Sequence, residues 1–356
     1  MPPFYYLNVK ITNKIAITVK NQRKKMSLKV AINGTGRIGS IVIKIVSMRD
    51  DMELVALNTT SKPEMLEYLL KYDSVHKGIE AKIIDADTIE INGKKVKIFS
   101  DRDPKKVDFG GAGAEVVIEC TGAFLTTQAC EAYLGNGVRK VVMSAPAKDD
   151  TPTYVLNINT DDYKGEAIIS NASCTTNCLA PICKVLDDEF GILNGLMTTI
   201  HSYTNDQNIL DVKHSSDFRR ARAAAINMIP TTTGAAKAIS LVMPQLKGKL
   251  NGYAMRVPTP DVSVVDLTAN LATDVTIEQI TAAMVKASKG SFKGLLEVDF
   301  DKRVSSDFIG STYSATFVPD MTSVVDGRTV KVLAWYDNEW GYSSRLVDMV
   351  KFVGTK

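Results

Sequence analysis

Short apolar runs closed by small residues recur through the first half of this chain. Residues 28–32 run into Gly34-Thr35-Gly36, and residues 37–48 then place Ile38, Ile41, Val42, Ile45 and Val46 at helical spacing. Residues 53–58 (ELVALN) form a second apolar run, so the pattern predicts strand, glycine turn, helix, strand: one βαβ unit. Residues 115–119 end in Cys120-Thr121-Gly122, residues 140–143 in Ser144-Ala145-Pro146, and residues 167–170 in SNASCTTNCLAP. Runs of this kind suit strands of a parallel sheet whose carboxyl ends open onto a ligand. Beyond Cys174 the texture changes. Longer strands are expected at 195–201, 250–257 and 262–271, separated by Pro and Gly, which suggests a mixed or antiparallel sheet. Between Tyr203 and Ile226 lies a polar stretch with little periodicity, a length of loop that is usually functional. A strand at 330–336 and a helix at 343–353 close the chain.

At 356 residues, 45% hydrophobic and 23% charged, the chain has material for about two domains with real cores. No apolar run reaches the length that spans a bilayer. Five cysteines without an extracellular spacing pattern read as reduced thiols of a cytoplasmic protein. The first 25 residues hold six of the 43 basic side chains and none of the 40 acidic ones, so the remainder is net −3. Residues 1–25 therefore read as an extension from an upstream start or an added segment, with a basic anchor for nucleic acid or an anionic membrane as the lesser reading.

Gly34-Thr35-Gly36-Arg37-Ile38-Gly39 is GxGxxG inside a βαβ unit. The first glycine permits the turn, the second lets backbone approach a pyrophosphate, and the third packs helix against strand. About 20 residues on, a site for NAD normally offers Asp or Glu to the ribose hydroxyls. Here the chain offers Asn58-Thr59-Thr60-Ser61-Lys62, neutral hydroxyls and a cation that tolerate a 2′-phosphate. The reading is NAD or NADP, with NADP favoured.

Cys174 falls where a strand ends and a helix begins, a position that favours a thiolate and offers N–H groups to an oxyanion. A nucleophilic cysteine also needs a base. The chain has three histidines, His76, His201 and His214, and His201 closes an apolar strand that can reach the same cleft. Cys174, Cys178 and Cys183 lack metal-ligand spacing, so no metal is expected there. Cys178 and Cys183 read as core residues. Pro181 sits inside the helix that follows Cys174 and implies a kink or a late start.

The strings INGTGRIG, SNASCTTNCLAP, TTIHSYTNDQ, RRARAAA, PTTTGAAKA, MRVPTP and LAWYDNEWGYS occur in this order. From about Leu28 to the C-terminus the sequence resembles phosphorylating glyceraldehyde-3-phosphate dehydrogenases. The resemblance implies an α/β fold: an N-terminal Rossmann dinucleotide-binding domain plus an α+β catalytic domain with a mixed, largely antiparallel sheet. The domains would span 26–173, completed by a C-terminal helix in 338–356, and 174–337. It implies a cytoplasmic homotetramer of glycolysis or gluconeogenesis, acting on a small-molecule substrate and inorganic phosphate, with no specific nucleic acid and no membrane partner. Cys174 would be the nucleophile, passing through a thiohemiacetal and a thioester, and His201 its base. Asn338 would hold the nicotinamide carboxamide with Tyr342 nearby, and Asn33, Gly34, Gly36, Arg37, Ile38, Gly39, Arg102, Thr121, Gly122 and Ser144 would line the cofactor cleft. Ser173, Thr175, Thr233 and Gly234 resemble a site for attacking phosphate. Thr204, Asp206 and Arg256 resemble one for substrate phosphate, with Arg220 between them. Asp206 is the misfit, since a carboxylate repels phosphate; it would orient Arg256 or Arg220.

Three departures bear on the cofactor. The glycine loop reads GTG where the family usually has GFG. Thr59 stands where NAD-specific members carry an acid, and Lys213 where they carry proline, in a loop that in this family reaches a neighbouring subunit's adenosine pocket. Both favour a 2′-phosphate. The competing activity is erythrose-4-phosphate dehydrogenase, a relative that releases a free acid.

Overall fold

The computed structural model describes residues 27–356; the basic extension lies outside the described residues. The first domain carries an eight-stranded sheet of β1 (Leu28–Asn33), β2 (Met52–Asn58), β3 (Ala81–Asp85), β4 (Thr88–Ile91), β5 (Lys94–Phe99), β6 (Val116–Glu119), β7 (Lys140–Met143) and β8 (Ile168–Ser170), ordered β3-β4-β5-β2-β1-β6-β7-β8. From β5 to β8 every pairing is parallel. β6 and β7 are buried throughout, which explains their unbroken apolar sequence. The antiparallel edge β3-β4-β5 is not part of the sequence reading.

Helices α1 (Arg37–Ser47), α2 (Pro63–Lys71) and α3 (Thr127–Cys130) connect these strands. The second domain opens with α4 (Cys174–Phe190). Its sheet comprises β9 (Ile192–Ser202), β10 (Ile229–Thr232), β11 (Leu250–Val257), β12 (Ser263–Leu271), β13 (Leu296–Val298), β14 (Ala315–Phe317), β15 (Ser323–Val325) and β16 (Thr329–Tyr336). The order is β10-β11-β9-β12-β16-β14-β13, with β15 on β16. Pairings β11–β9 and β13–β14 are parallel and the rest antiparallel, so the sheet is mixed and largely antiparallel as expected. Helices α5 (Ala235–Val242), α6 (Ile277–Lys289) and α7 (Trp340–Gly354) complete the chain.

Helix α4 lays Cys178, Leu179, Ile182 and Cys183 against Leu267 of β12 and Val332 and Ala334 of β16. Both cysteines are core residues, as read. The helix is continuous through Pro181, so the late start is excluded; Pro181 has no N–H to give the Asn177 carbonyl one turn back. Helix α7 returns to the first domain. Its Leu346, Val347, Val350 and Val353 share a core with Val30, Ile32, Ile41 and Val42. None of the helices in residues 27–356 is long and apolar enough to cross a membrane.

Candidate active site

β1 ends at Asn33 and the chain turns through Gly34 at φ +93°. A Cβ there would lie 2.7 Å from Thr121 Cγ2, and a Cβ on Gly39 would lie 1.9 Å from the Gly34 carbonyl oxygen, so both positions require glycine. A Cβ on Gly36 would meet no protein atom; it would project into a cavity of about 740 Å³ that Gly36 lines. Gly36 is also the N-cap of α1, with no side-chain cap and no acid in the first turn. The helix therefore presents uncapped N–H groups and its positive end to that cavity, the arrangement that holds a pyrophosphate. Volume, turn and helix end together fit a dinucleotide.

Asn33, Gly34, Gly36, Arg37, Thr59, Arg102 and Thr121 line this cavity. Ile38 packs on the first-domain core, and Gly122 turns at φ +69° between lining residues Thr121 and Ala123. The Ser144 N–H donates to the Glu119 carbonyl at 2.9 Å, one residue from lining Cys120. Two residues hold the wall rather than offer charge to a ligand. The Arg37 guanidinium donates to Asp73 at 2.8 Å and Glu339 at 2.7 Å. Asn33 donates to Glu119 at 2.6 Å and accepts from Asn58 at 2.7 Å, and burial pushes that Glu119 carboxyl above its usual range. Thr59 is nearly buried, and its hydroxyl pairs with that of Thr35 at 2.6 Å while accepting the Ser61 N–H. Lys213 does not line this chain's own cavity; Asn205, from the same long loop, does. Thr35 and Ser61, which lie in stretches the sequence marks, also line the cavity, and so do Asp101 and Asn205, which it does not mark.

Cys174 is the first residue of α4, and the Ser173 hydroxyl caps that helix by accepting the Thr176 N–H at 3.1 Å. One residue earlier Ala172, fully buried, holds φ +56°. A left-handed alanine costs on the order of 1–3 kcal/mol and persists only where its surroundings impose it. Tyr342 of α7 supplies one restraint, its hydroxyl donating to the Ala172 carbonyl at 3.1 Å.

The Cys174 Sγ lies 3.5 Å from His201 Nε2. His201 is the penultimate residue of β9, and the parallel register with β11 sets Arg256 directly beside it. Arg256 Nη1 approaches His201 Nδ1 at 2.8 Å and donates to the Ser202 carbonyl at 3.0 Å, while Nδ1 stands 2.7 Å from that same carbonyl. With its proton on Nδ1, His201 donates to Ser202 and turns the Nε2 lone pair toward the thiol. Burial, and next the Arg256 charge, push the imidazole down to about 3, so it is neutral. The thiol departs from the sequence expectation. Burial pushes Cys174 up from its ordinary value, outweighing the pull of Arg256 and the local hydrogen bonds. The resting pair is thus thiol and neutral imidazole, which suits proton transfer during attack.

Tyr336, at the end of β16, fixes the floor: its hydroxyl bonds Thr175 and Thr199, each at 2.9 Å, and its ring meets His201 edge-on. Ser202 and Ser263 hydroxyls donate to Asn338 Oδ1 at 2.8 and 2.7 Å. With its oxygen held, Asn338 has its amide NH₂ to offer a carbonyl.

The anion-binding candidates fall into two groups. Asp206 pairs with Arg220, which also donates to Thr231 at 2.8 Å, so Asp206 orients Arg220. Arg256 feels the charges of both Arg220 and Asp206, which places these three side chains in one electrostatic neighbourhood with Cys174. The Thr204 hydroxyl accepts the Asp206 N–H at 3.4 Å. Thr233 accepts the Ala235 N–H at 3.2 Å and Gly234 caps α5 without a side chain, opening a second helix N-terminus. Thr175 is buried with its hydroxyl on Tyr336, which leaves its backbone as the part available to an anion.

Two family models match the chain. The glyceraldehyde 3-phosphate dehydrogenase NAD binding domain matches residues 28–127, and the C-terminal domain of the same family matches residues 173–338. Among curated proteins, a glyceraldehyde-3-phosphate dehydrogenase of Geobacillus stearothermophilus is 50% identical over 334 residues, 93% of this chain and 99% of its own. Glyceraldehyde-3-phosphate dehydrogenase 1 of Bacillus subtilis (strain 168) is 50% identical over the same shares. Glyceraldehyde-3-phosphate dehydrogenase B, chloroplastic, of Pisum sativum is 51% identical over 337 residues, 92% of this chain and 74% of its own.

Proposed function

The chain belongs to the glyceraldehyde-3-phosphate dehydrogenase family, and on that premise we propose that Cys174 carries the acyl group in a phosphorylating oxidation of D-glyceraldehyde 3-phosphate. The observation that carries this reading is the 3.5 Å contact of Cys174 Sγ with His201 Nε2 at the head of α4. The thiol sulfur attacks the aldehyde carbon while its proton passes to His201 Nε2 and on to the carbonyl oxygen, giving a thiohemiacetal and leaving His201 neutral again. The N–H groups at the start of α4 face the oxygen that develops charge. NAD, when bound against α1, supplies the acceptor for the hydride that leaves the thiohemiacetal. His201 takes the hydroxyl proton in that step, and a thioester on Cys174 remains. Inorganic phosphate then attacks the thioester carbon, the C–S bond breaks and 1,3-bisphosphoglycerate is released; the leaving sulfur takes the proton held on His201 Nε2, which restores thiol and neutral imidazole.

Arg256, with Thr204, receives the substrate phosphate; Arg220, held by Asp206, stands between this site and the one for attacking phosphate at Ser173, Thr175, Thr233 and Gly234. When a phosphate engages Arg256, the charge pressing on His201 Nδ1 is neutralised and the imidazole becomes a better base. Asn338 holds the nicotinamide carboxamide through its free NH₂. NADP serves alongside NAD: Thr59 brings no carboxylate to the ribose, and Lys213 reaches a neighbouring subunit's adenosine pocket. A homotetramer is supported by large apolar side chains at the surface, with Leu196 67%, Ile209 82% and Phe218 96% exposed. Five free cysteines, one of them the nucleophile, fit the reducing cytoplasm.

The experiment is steady-state oxidation of D-glyceraldehyde 3-phosphate with NAD and with NADP, each with and without inorganic phosphate. Phosphate-dependent turnover is expected. Phosphate-independent release of a free acid would replace this reading with that of the erythrose-4-phosphate dehydrogenase type.

A further inference from the structure

We propose that His76, Asp261, Asp337 and Glu339 form a site for one divalent transition-metal ion of the zinc class, set across the join between the two domains. His76 comes from the loop after α2 in the first domain. Asp261 precedes β12, and Asp337 and Glu339 lie between β16 and α7. No side chain of this group touches the thiol chemistry.

The donor atoms of His76, Asp261 and Asp337 all lie within 4.8 Å of one another, and all three residues are buried. His76 Nε2 is 3.4 Å from Asp261 Oδ2 and 3.2 Å from Glu339 Oε2. Ligands at about 2.0–2.1 Å around a tetrahedral ion stand roughly 3.3 Å apart, so these are edge lengths of such a site. Asp261 is the independent sign of a missing ligand. It is 3% exposed, and neither carboxylate oxygen has a hydrogen-bond partner among the described residues. Leaving a buried carboxylate bare in this way is costly unless a cation completes it.

The neighbours support the same conclusion. Asp337 is oriented by backbone N–H groups, from Gly310 at 2.7 Å on one oxygen and from Glu339 and Trp340 on the other, which leaves lone pairs for a ligand. Glu339 is anchored by Arg37, and Arg37 and Lys44 share Asp73. Among the described residues, the carboxylates of Asp73, Asp261, Asp337 and Glu339 thus have Arg37 and Lys44 as their basic neighbours. A doubly charged ion balances that buried group. One imidazole with carboxylates and no thiolate selects zinc, cobalt or manganese over the all-oxygen sites of magnesium and calcium. The ring of Trp340, 5.3 Å from that of His76, limits the imidazole's rotation. Bound there, the ion ties the loop after α2 to the start of α7 and, through Glu339 and Arg37, stiffens one wall of the dinucleotide cavity.

The test uses full-length protein carrying Cys174→Ser, so that the reactive thiol takes no metal, stripped with a chelator. Co²⁺ is titrated by visible absorption, and Zn²⁺ by competition with a chromophoric chelator. One equivalent is expected, with the absorption of four-coordinate cobalt, and Asp261→Asn and His76→Gln should each weaken binding by about 100-fold. Asp261→Asn keeps the shape of the side chain and removes a buried charge, and a thermal melt confirms that it folds; His76→Gln gives an independent reading if it does not. Binding weaker than about 10 μM, or affinity unchanged in both variants, would overturn the proposal and leave a proton as the species that neutralises Asp261.

Discussion

Replacing Arg256 by glutamine removes the only permanent charge in contact with His201 among the described residues and keeps a side chain that can donate to Ser202. The guanidinium is 2.8 Å from Nδ1. A unit charge about 4 Å from a second one costs roughly 4 kcal/mol at an effective dielectric of 20. Burial ranks ahead of Arg256 in holding the imidazole at about 3, so the share removed is smaller, on the order of one to two pKa units. With only three histidines in the chain, NMR titration of the imidazoles reads this directly. In the native protein the His201 resonance should stay neutral from pH 8 to pH 5. In Arg256→Gln its midpoint should rise by one to two units and remain below the ordinary 6.5, because burial persists. The same group imposes a stability cost in acid. Its folded value lies below its unfolded one, so its contribution is complete above about 6.5 and is lost as pH falls toward about 3. From pH 6.5 to pH 5 the loss is roughly 1.6 kcal/mol, because the unfolded imidazole is half protonated at the start and the full 1.36 kcal/mol per unit is reached only below it. Urea unfolding at these two pH values should show that slope in the native chain and not in His201→Asn. A native His201 that titrates near 6.5, or a midpoint unmoved by Arg256→Gln, would refute the reasoning.

Iodoacetamide should alkylate Cys174 slowly at neutral pH and faster above the ordinary thiol range, and more slowly still in His201→Asn; a plateau of full reactivity at pH 6–7 would show that burial does not govern the thiol. Cys174→Ser should abolish dehydrogenase turnover while leaving cofactor binding intact, and substantial residual turnover would remove Cys174 as nucleophile. Thr59→Asp places a carboxylate against a 2′-phosphate and should raise the KM for NADP by about tenfold or more with little change for NAD, read from initial rates; equal effects on both would end the argument from Thr59. Gly39→Ala sets a methyl group 1.9 Å from the Gly34 carbonyl oxygen and should lower stability by about 3 kcal/mol in urea unfolding, with an unperturbed midpoint contradicting the packing described.

The parallel strands were legible because burial on both faces leaves apolar runs with no alternation, as in β6 and β7. The edge hairpins were not. In β4 only Ile89 and Ile91 are buried, and so short an alternation is weak against the polar background. The motif placed the glycine turn and the Cys174–His201 pair, because each depends on local chain geometry or on strand ends that the pattern marks. What Arg37 and Asn33 do there depends on Asp73, Glu339 and Glu119, partners distant in sequence, and no spacing rule reveals them. The thiol was misjudged for a similar reason: a helix N-terminus is visible in sequence, whereas the burial that opposes it is a property of the assembled fold. Ala172, an ordinary residue by type, holds a left-handed conformation that only packing can impose.

The return of α7 to the first domain has a meaning in the order of synthesis. The residues that match β1 through β8 leave the ribosome long before Leu346, Val347, Val350 and Val353, which fill the core beside Ile41 and Val42. At 5–20 residues per second the stretch from Ser170 at the end of β8 to Trp340 at the start of α7 takes roughly ten to thirty-five seconds. During that time the face of the sheet that carries α1 lacks the apolar cover of α7, and the catalytic half must emerge and fold in between. Helix α7 is thus a latch closed late in synthesis: a chain released at Glu339 would carry every thiol, histidine and arginine named above and still have no finished place for its cofactor.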